Sequence, residues 1–399
     1  MSFWTKSEAA KEFHVSPTTI NNWIIATEKN KVNLDIATVG TKTVLVESEH
    51  NRKIIKQLIE KGKKHIGRGG RVEVEAKQSL YNAFSRQQLS EIISSLTSRL
   101  EIPYKFSYVD EGANYWDLHY RISAEKESNF VKTEHKLIVD NLDTLINRFK
   151  EYRHINLVDI GCGNGLPVFP IIEKLLDEEY SITYTALDIS QKLIEIDKKE
   201  LFQKFPNLNY KSFEIDFDRF NISDILILNK DEEPSANLLL YLGGTLGNQT
   251  DTGRIYANLR DSMGLNDFLV VSEGIAGKFP SSYSSQSNEY HVKRTTWILD
   301  ALGLKNYYSE SVFDIFDPIK KETTRKIEIL EDITTEIVID NKPIKIHFNQ
   351  GDNILVFRFN WFKETEIIQQ VVEHGFVIDQ FNSNRDGTCA LMIVRPKQV

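Results

Sequence analysis

Apolar positions recur along this chain in two rhythms, one near its start and another after about residue 155. In residues 5–25, Ala9, Ala10 and Phe13 share one helical face, and Ile20, Trp23 and Ile24 form the i, i+3, i+4 stripe of a second helix. Thr5 or Ser7 caps the first helix, with Glu8 and Glu12 near its positive end. His14 and Val15 make the turn, Ser16 caps the second helix and Pro17 fits its first position. Residues 33–37 and 42–46 flank Gly40 as a hairpin, and a further helix runs from about 48 to 61. This is the two-helix pattern of a helix-turn-helix followed by a hairpin.

Later in the chain, short apolar runs alternate with helical stretches. Residues 156–160, 181–187, 209–215, 236–242 and 268–272 read as strands, with helices over about 166–176 and 191–205. Residues 376–381 and 389–394 close the chain as an antiparallel pair. The alternation predicts an α/β fold with a doubly wound, mostly parallel sheet. Its ligand site is expected at the C-terminal ends of the strands.

Length and composition sharpen this picture. With 399 residues, 41% hydrophobic and 27% charged, the chain reads as a globular protein of two or three domains. The longest apolar runs, such as 238–242, are too short to span a bilayer. No basic segment followed by an apolar one stands at the N-terminus, so no secretory signal is expected and the location is expected to be cytoplasmic. Cys162 and Cys389 are then free thiols. The nine histidines lack ligand spacing, so no metal site is expected.

The net charge of -8 hides a split. Residues 1–100 hold 16 Lys+Arg against 10 Asp+Glu, a net of +6, whereas the remainder holds 33 against 47, a net of -14. Eight of the cations fall in 52–71, which ends in the flexible basic stretch Gly67, Arg68, Gly69, Gly70, Arg71. The head, with its Ala-Ala pair, Val-Ser turn and Thr-Ile-x-x-Trp stripe, resembles the winged-helix heads of the mercury-resistance-regulator and excisionase type. That resemblance implies a DNA or protein partner for residues 1–71. Thr18, Thr19, Asn21 and Asn22 would be exposed on the recognition helix, with the 52–71 cations contacting phosphates. A docking module, or a dimerisation module making a homodimer, is the other reading. The expected divisions are a winged helix at 1–66, a linker and helical connection at 67–103, and the α/β body at 104–395. Within the body, about 305–360 form an inserted β-rich subdomain.

Candidate chemistry falls at the strand ends. Asp159, Gly161, Gly163 and Gly165 follow the first strand and open a helix, and the glycines allow close backbone approach. The spacing is not the GxGxxG dinucleotide fingerprint, whose third glycine comes one residue later. Asp188 ends the second strand, where a carboxylate can take both hydroxyls of a ribose. Asp216 and Phe217 end the third and offer an acceptor and a flat ring, which suits an adenine. This combination resembles the Rossmann-like, class I S-adenosylmethionine-dependent methyltransferases. The resemblance implies that cofactor, with Asp159 orienting its amino group, Asp188 its ribose and Asp216 its adenine amine.

A narrower resemblance rests on the turn Gly243, Gly244, Thr245, Leu246, Gly247, Asn248 after the fourth strand. It is similar to the histidine-specific methyltransferases that trimethylate the histidine α-amine in ergothioneine synthesis. Residues 106–115 look like that family's Tyr-Asp-x-x-Gly opening segment, which carries Tyr108 and Asp110 here, and Glu134 falls at its Arg-x-Glu position. The resemblance implies that Gly244 and Thr245 face the cofactor's methionine end. Asn248 would bind the substrate's carboxylate or amine, and Tyr283 would touch substrate.

This chain departs from the family where the late strand carries a Glu and a Ser for the imidazole, because Phe357 and Phe359 stand there. Ser128 and Asn129 also replace a pair of tyrosines. A flatter or more apolar group than histidine is therefore expected in the pocket. On that strand either the aromatic set or Arg358 and Asn360 faces the pocket. The proton acceptor is left among Glu273, Tyr283, Asp110 and Tyr108.

The expected function is methyl transfer to a small amine or amino-acid-like substrate, with no membrane partner. The alternative is a DNA-binding regulator whose methyltransferase-like body senses a ligand. A nucleic-acid methyltransferase is disfavoured, because the fourth strand lacks the Asn/Asp-Pro-Pro-aromatic turn that holds a flipped base.

Overall fold

The computed structural model describes the chain apart from residues 1–2, 14, 16, 29–33, 40–41, 67–70, 126–129, 229–233, 277–282, 287–288 and 399. It forms two compact units, Met1–Arg71 and Val72–Val399.

In the first unit, β1 (Phe3–Trp4) leads into α1 (Lys6–Phe13) and α2 (Pro17–Glu28). The antiparallel pair β2 (Ile36–Val39) and β3 (Lys42–Val46) follows, then α3 (Glu49–Ile66), and β1 adds to β3. Thr5 and Glu8 cap α1 reciprocally, Glu8 N–H donating to Thr5 Oγ1 and Thr5 N–H to the Glu8 carboxylate. Ala9, Ala10, Ile20 and Ile24 meet Trp4, Leu45 and Ile55 in one small core, which is the stripe read from the sequence. Arg52, first of the basic run, is already engaged: it pairs with Glu12 (2.6 Å) and Glu47 (3.0 Å) and lies over the Trp4 ring. Thr18 and Asn22 are exposed, whereas Thr19 and Asn21 are half-buried, and Asn21 accepts from Lys6 (2.6 Å). His14, Ser16, Gly40 and residues 67–70 lie outside the described residues.

The second unit begins with β4 (Val72–Glu75), α4 (Gln78–Ala83), α5 (Arg86–Arg99), α6 (Glu111–Glu125) and α7 (Phe130–Ile146). Alternation then takes over in β5 (His154–Ile160), α8 (Phe169–Asp177), β6 (Ser181–Asp188), α9 (Gln191–Lys204) and β7 (Asn209–Glu214). It continues through α10 (Ser223–Leu228), β8 (Ser235–Tyr241), α11 (Thr252–Ser262) and β9 (Phe268–Gly274). An insertion follows, comprising β10 (Tyr283–Gln286), α12 (Glu289–Ala301), β11 (Phe313–Asp317), β12 (Glu322–Glu328), β13 (Ile333–Ile339), β14 (Lys342–Phe348) and β15 (Asn353–Asn360). The chain closes on α13 (Glu364–Glu373), β16 (Phe376–Ser383) and β17 (Cys389–Pro396).

The main sheet has the order β16-β17-β9-β8-β5-β6-β7. Its pairs are parallel except those of β17, which runs antiparallel to both β9 and β16. The final strands are thus an antiparallel pair, and the last one sits inside the sheet. Every residue of β5 is buried, as a central parallel strand covered on both faces requires. Strand order reverses at β5, whose neighbours are β6 on one side and β8 on the other, so a crevice opens where β5 and β8 end.

The insertion makes two smaller sheets, β10-β11-β12-β15 and β14-β13-β4. Residues 72–103, expected as a connection, belong to this unit: β4 pairs parallel with β13, and Leu80, Leu89, Ile92 and Leu96 share a core with Ile327, Ile333 and Ile354. Among the described residues no helix is long and apolar enough to cross a membrane. Cys162 and Cys389 are buried free thiols.

Leu240 of β8 is fully buried in the main core. Leu240→Ala is expected to cost about 2–5 kcal/mol of stability, read by urea unfolding.

Candidate functional site

The glycine loop leaves β5 at the crevice. Gly161, Gly163 and Gly165 have positive φ (73°, 58° and 70°), a conformation that side chains disfavour. A Cβ at Gly163 would fall 2.4 Å from a ring atom of Trp116, so only glycine fits beneath that ring. Trp116 comes from α6 and was not singled out in the sequence. The tyrosines around it, Tyr108 and Tyr120, were the available signal (centroids 6.4 and 5.5 Å away). Asn164, also unforeseen, is fully buried and donates to Asp117 of α6 (2.9 Å), which ties the loop to the same helix.

Four carboxyl groups surround this loop and its neighbour. Asp159 at the end of β5, Asp188 at the end of β6, Glu273 near the end of β9 and Glu134 of α7 are each at most 5% exposed. Among the described residues none of the four has a cation within ion-pairing distance. Asp188 accepts from the N–H groups of Gly163 (3.3 Å) and Ser190 (2.9 Å), and burial pushes its carboxyl up to about 6. Glu273 accepts from Gly247 (3.2 Å) and Gly274 (3.0 Å), and burial pushes it up to about 8. Glu134 accepts from Gly243 N–H (2.6 Å) and from the Ser272 hydroxyl, joining the ends of β8 and β9, and burial raises it too.

Asp159 is pushed up to about 7, again mainly by burial. The Tyr184 hydroxyl lies 2.9 Å from Asp159 and 2.9 Å from Asp197. A phenol carries one proton, so both contacts are hydrogen bonds only when one of the two carboxyls is protonated. Burial raises Asp197 in the same direction.

Asp216 does not present a free carboxylate. Lys105 holds it at 2.6 Å and Arg219 lies at 3.6 Å, in a network with Glu91. Phe217 does face the loop, its ring 3.7 Å from where a Gly161 Cβ would stand. Asp218, which the sequence reading passed over, makes no ion pair among the described residues, and burial pushes it up to about 6. The Gln249 amide, oriented to satisfy both neighbours, donates to Asp218 (2.9 Å) and accepts from Tyr241 (3.3 Å).

After β8, Gly243 and Gly244 have positive φ, and the Thr245 hydroxyl donates to the Leu242 carbonyl (2.7 Å). Gly247 is pressed by Phe359, whose ring atoms stand 2.6 Å from a Cβ position there, and Phe359 also approaches Gly274. Asn248 donates to the Tyr108 hydroxyl at 3.4 Å.

From β15, Phe359 packs on this turn and Asn360 bonds to it. Phe357 contacts Tyr104 and His291, with centroids 5.0 and 4.8 Å apart, while Arg358 turns away to Glu322 (3.0 Å). Asn360 donates to the carbonyls of Gly247 and Gln249. Asp110 starts α6 with a φ of 49°, and no hydrogen bond among the described residues joins it to Glu273. Tyr283 lies on β10, paired with Phe316, and its side chain is outside the described residues, as are Ser128 and Asn129. No group of His, Cys, Asp and Glu suited to a metal ion occurs among the described residues.

This strand order, with a glycine loop and strand-end acids at the switch point, defines a Rossmann-like S-adenosylmethionine-dependent methyltransferase body. A family model described as histidine-specific methyltransferase, S-adenosylmethionine-dependent, matches residues 88–396, and the chain belongs to that family. S-adenosylmethionine is therefore its cofactor, and the four carboxyls without cations suit a ligand that carries a sulfonium and an ammonium. No curated relative matches the chain.

Similar solved structures include an S-adenosylmethionine-dependent methyltransferase from Clostridium acetobutylicum, at 9% identity over 71% of this chain and 99% of that chain, TM-score 0.42. The sugar N-methyltransferase KedS8 from Streptoalloteichus has 13% identity over 71% and 93%, TM-score 0.38. DesVI from Streptomyces venezuelae has 16% over 72% and 99%, TM-score 0.36.

A carboxyl raised on folding favours the folded state in its protonated form. That contribution is present below the ordinary carboxylate range and is lost as pH rises toward about 8 for Glu273. Replacing Glu273 by Gln removes the loss. The stability of Glu273→Gln relative to wild type is expected to grow between pH 5 and pH 8, by up to about 1.4 kcal/mol per pH unit. Urea unfolding at both pH values checks this, and a flat or shrinking difference contradicts it.

Proposed function

We propose that this protein transfers a methyl group from S-adenosylmethionine to a small amine or amino-acid-like acceptor other than histidine. The observation that carries the reading is the replacement of the family's imidazole-gripping Glu and Ser by Phe357 and Phe359, the Phe359 ring lying against Gly247 and the Phe357 ring against Tyr104 and His291. An aromatic wall favours a flat or apolar group and offers no carboxylate to an imidazole.

In this reading Asp188 takes the ribose hydroxyls, and the Gly161–Gly165 loop and Asp159 take the amino-acid end. Phe217 stacks on the adenine, with Asp218 rather than the Lys105-bound Asp216 as the acceptor for its amine. Gly244 and Thr245 adjoin the methionine end. When bound, the cofactor supplies an electrophilic methyl group on sulfur. The chain's own residues position the amine and exclude water. Asn248 and Tyr108 orient the acceptor. Glu273, with its carboxyl near 8, is poised to exchange the proton that an amine must lose before it attacks.

Calorimetric titration with S-adenosylmethionine tests the cofactor assignment. Wild type is expected to bind, and Asp188→Ala to lose about 1.5–3 kcal/mol, that is, ten-fold or more. No binding by wild type, or equal binding by both, contradicts it. Incubation with metabolite extract and labelled cofactor, followed by mass spectrometry, identifies the acceptor, and labelled histidine as the product would refute the substrate reading.

A second reading concerns residues 1–66. The order of helix pair, hairpin and helix, with Thr18 and Asn22 exposed on α2, supports a winged helix-turn-helix able to bind DNA. With Arg52 already paired, the contact would be weak and strongly salt-dependent. A gel shift at several salt concentrations is expected to show binding at low salt alone. No shift at any salt rules the DNA reading out.

A further inference from the structure

We propose that Arg294 of α12 is an anion receptor on the acceptor side of the site, recognising a carboxylate or phosphate carried by the molecule that is methylated. The inference rests on the methyltransferase reading above.

A buried guanidinium is unfavourable unless it is paired. Two such groups lie side by side here, and they differ. Arg325 is fully buried and bonded to Asp314 (2.8 Å), the His291 carbonyl (2.9 Å) and the Thr295 hydroxyl (3.1 Å). Arg294 is 4% exposed, yet among the described residues no carboxylate lies within ion-pairing distance of it. Its buried Nε has no hydrogen-bond partner. The one hydrogen bond described for its guanidinium goes to the Tyr104 hydroxyl. The rings of Tyr104 and Tyr108 lie 5.2 and 4.9 Å from its carbon. Rings engage a guanidinium by its faces, whereas its N–H donors lie in its plane. Two aromatic partners therefore leave in-plane donors for a planar or tetrahedral anion.

The two aromatic partners of Arg294 connect it to the residues at the strand ends. Tyr108 bonds to Asn248 on one side and packs on Trp116, which covers the glycine loop, on the other. Tyr104 packs on Phe357. Asp314 pairs with Arg325, whereas among the described residues no carboxylate pairs with Arg294. His291 beside it is held neutral by burial and by the two arginines. An acceptor with a flat body against Phe357 and an anionic group on Arg294 matches this wall.

The test uses the full-length protein saturated with S-adenosylhomocysteine and calorimetric titration with matched pairs. Phenylalanine against phenethylamine and tryptophan against tryptamine probe a carboxylate, and pyridoxamine phosphate against pyridoxamine probes a phosphate. At least one anionic member is expected to bind about ten-fold tighter than its partner. Arg294→Gln is expected to abolish that preference and Arg294→Lys to keep part of it, with S-adenosylhomocysteine affinity unchanged in both. The arm that responds names the anion. No binding of any anionic member to the wild type overturns the assignment, as does a preference that survives Arg294→Gln. Equal loss in both variants marks a structural role and overturns it too. Failure of the wild type to bind S-adenosylhomocysteine would instead remove the methyltransferase reading beneath it.

Discussion

Buried carboxyl groups without a resident cation set the character of the crevice where the parallel strands end. Asp159, Asp188, Glu134 and Glu273 gather where parallel strands end, and the chain meets them with backbone N–H groups, a serine and a tyrosine rather than with lysine or arginine. Amide donors satisfy lone pairs but only partly offset the loss of hydration, which is why these carboxyls are raised instead of lowered. The fold sets aside stability at these positions, and a cationic ligand that fits among them recovers it.

The insertion supplies the opposite environment. Its β15 brings Phe359 to the turn after β8, and Phe357 beside it joins Tyr104, Arg294 and Arg325 in an aromatic and basic cluster, in contrast to the carboxyls at the strand ends. Gly247 and Asn248 lie between the two, Gly247 bonded to Glu273 and Asn248 to Tyr108.

Much of the body was legible because its logic is local. The central strands β5, β6, β8 and β9 announced themselves as apolar runs, and Asp188 and Glu273 could be placed because they end such runs. Long-range partners were not legible. Asp216 looked open at a strand end, and nothing near it in sequence revealed Lys105 as its partner. Residues 72–75 pair with β13 from far along the chain, so an alternating Val-Glu stretch read as a connection. Trp116 and Arg294 sit on helices whose periodicity explains them as ordinary packing positions. Their meaning comes from the loop and the rings that tertiary structure brings beside them.

The placement of β17 bears on the integrity of the main sheet. This strand comes last in the chain, yet it lies between β9 and β16 and is the partner through which β16 joins the sheet. Without residues 389–396, β16 has no place to pair and the strand that carries Glu273 presents an unpaired apolar edge.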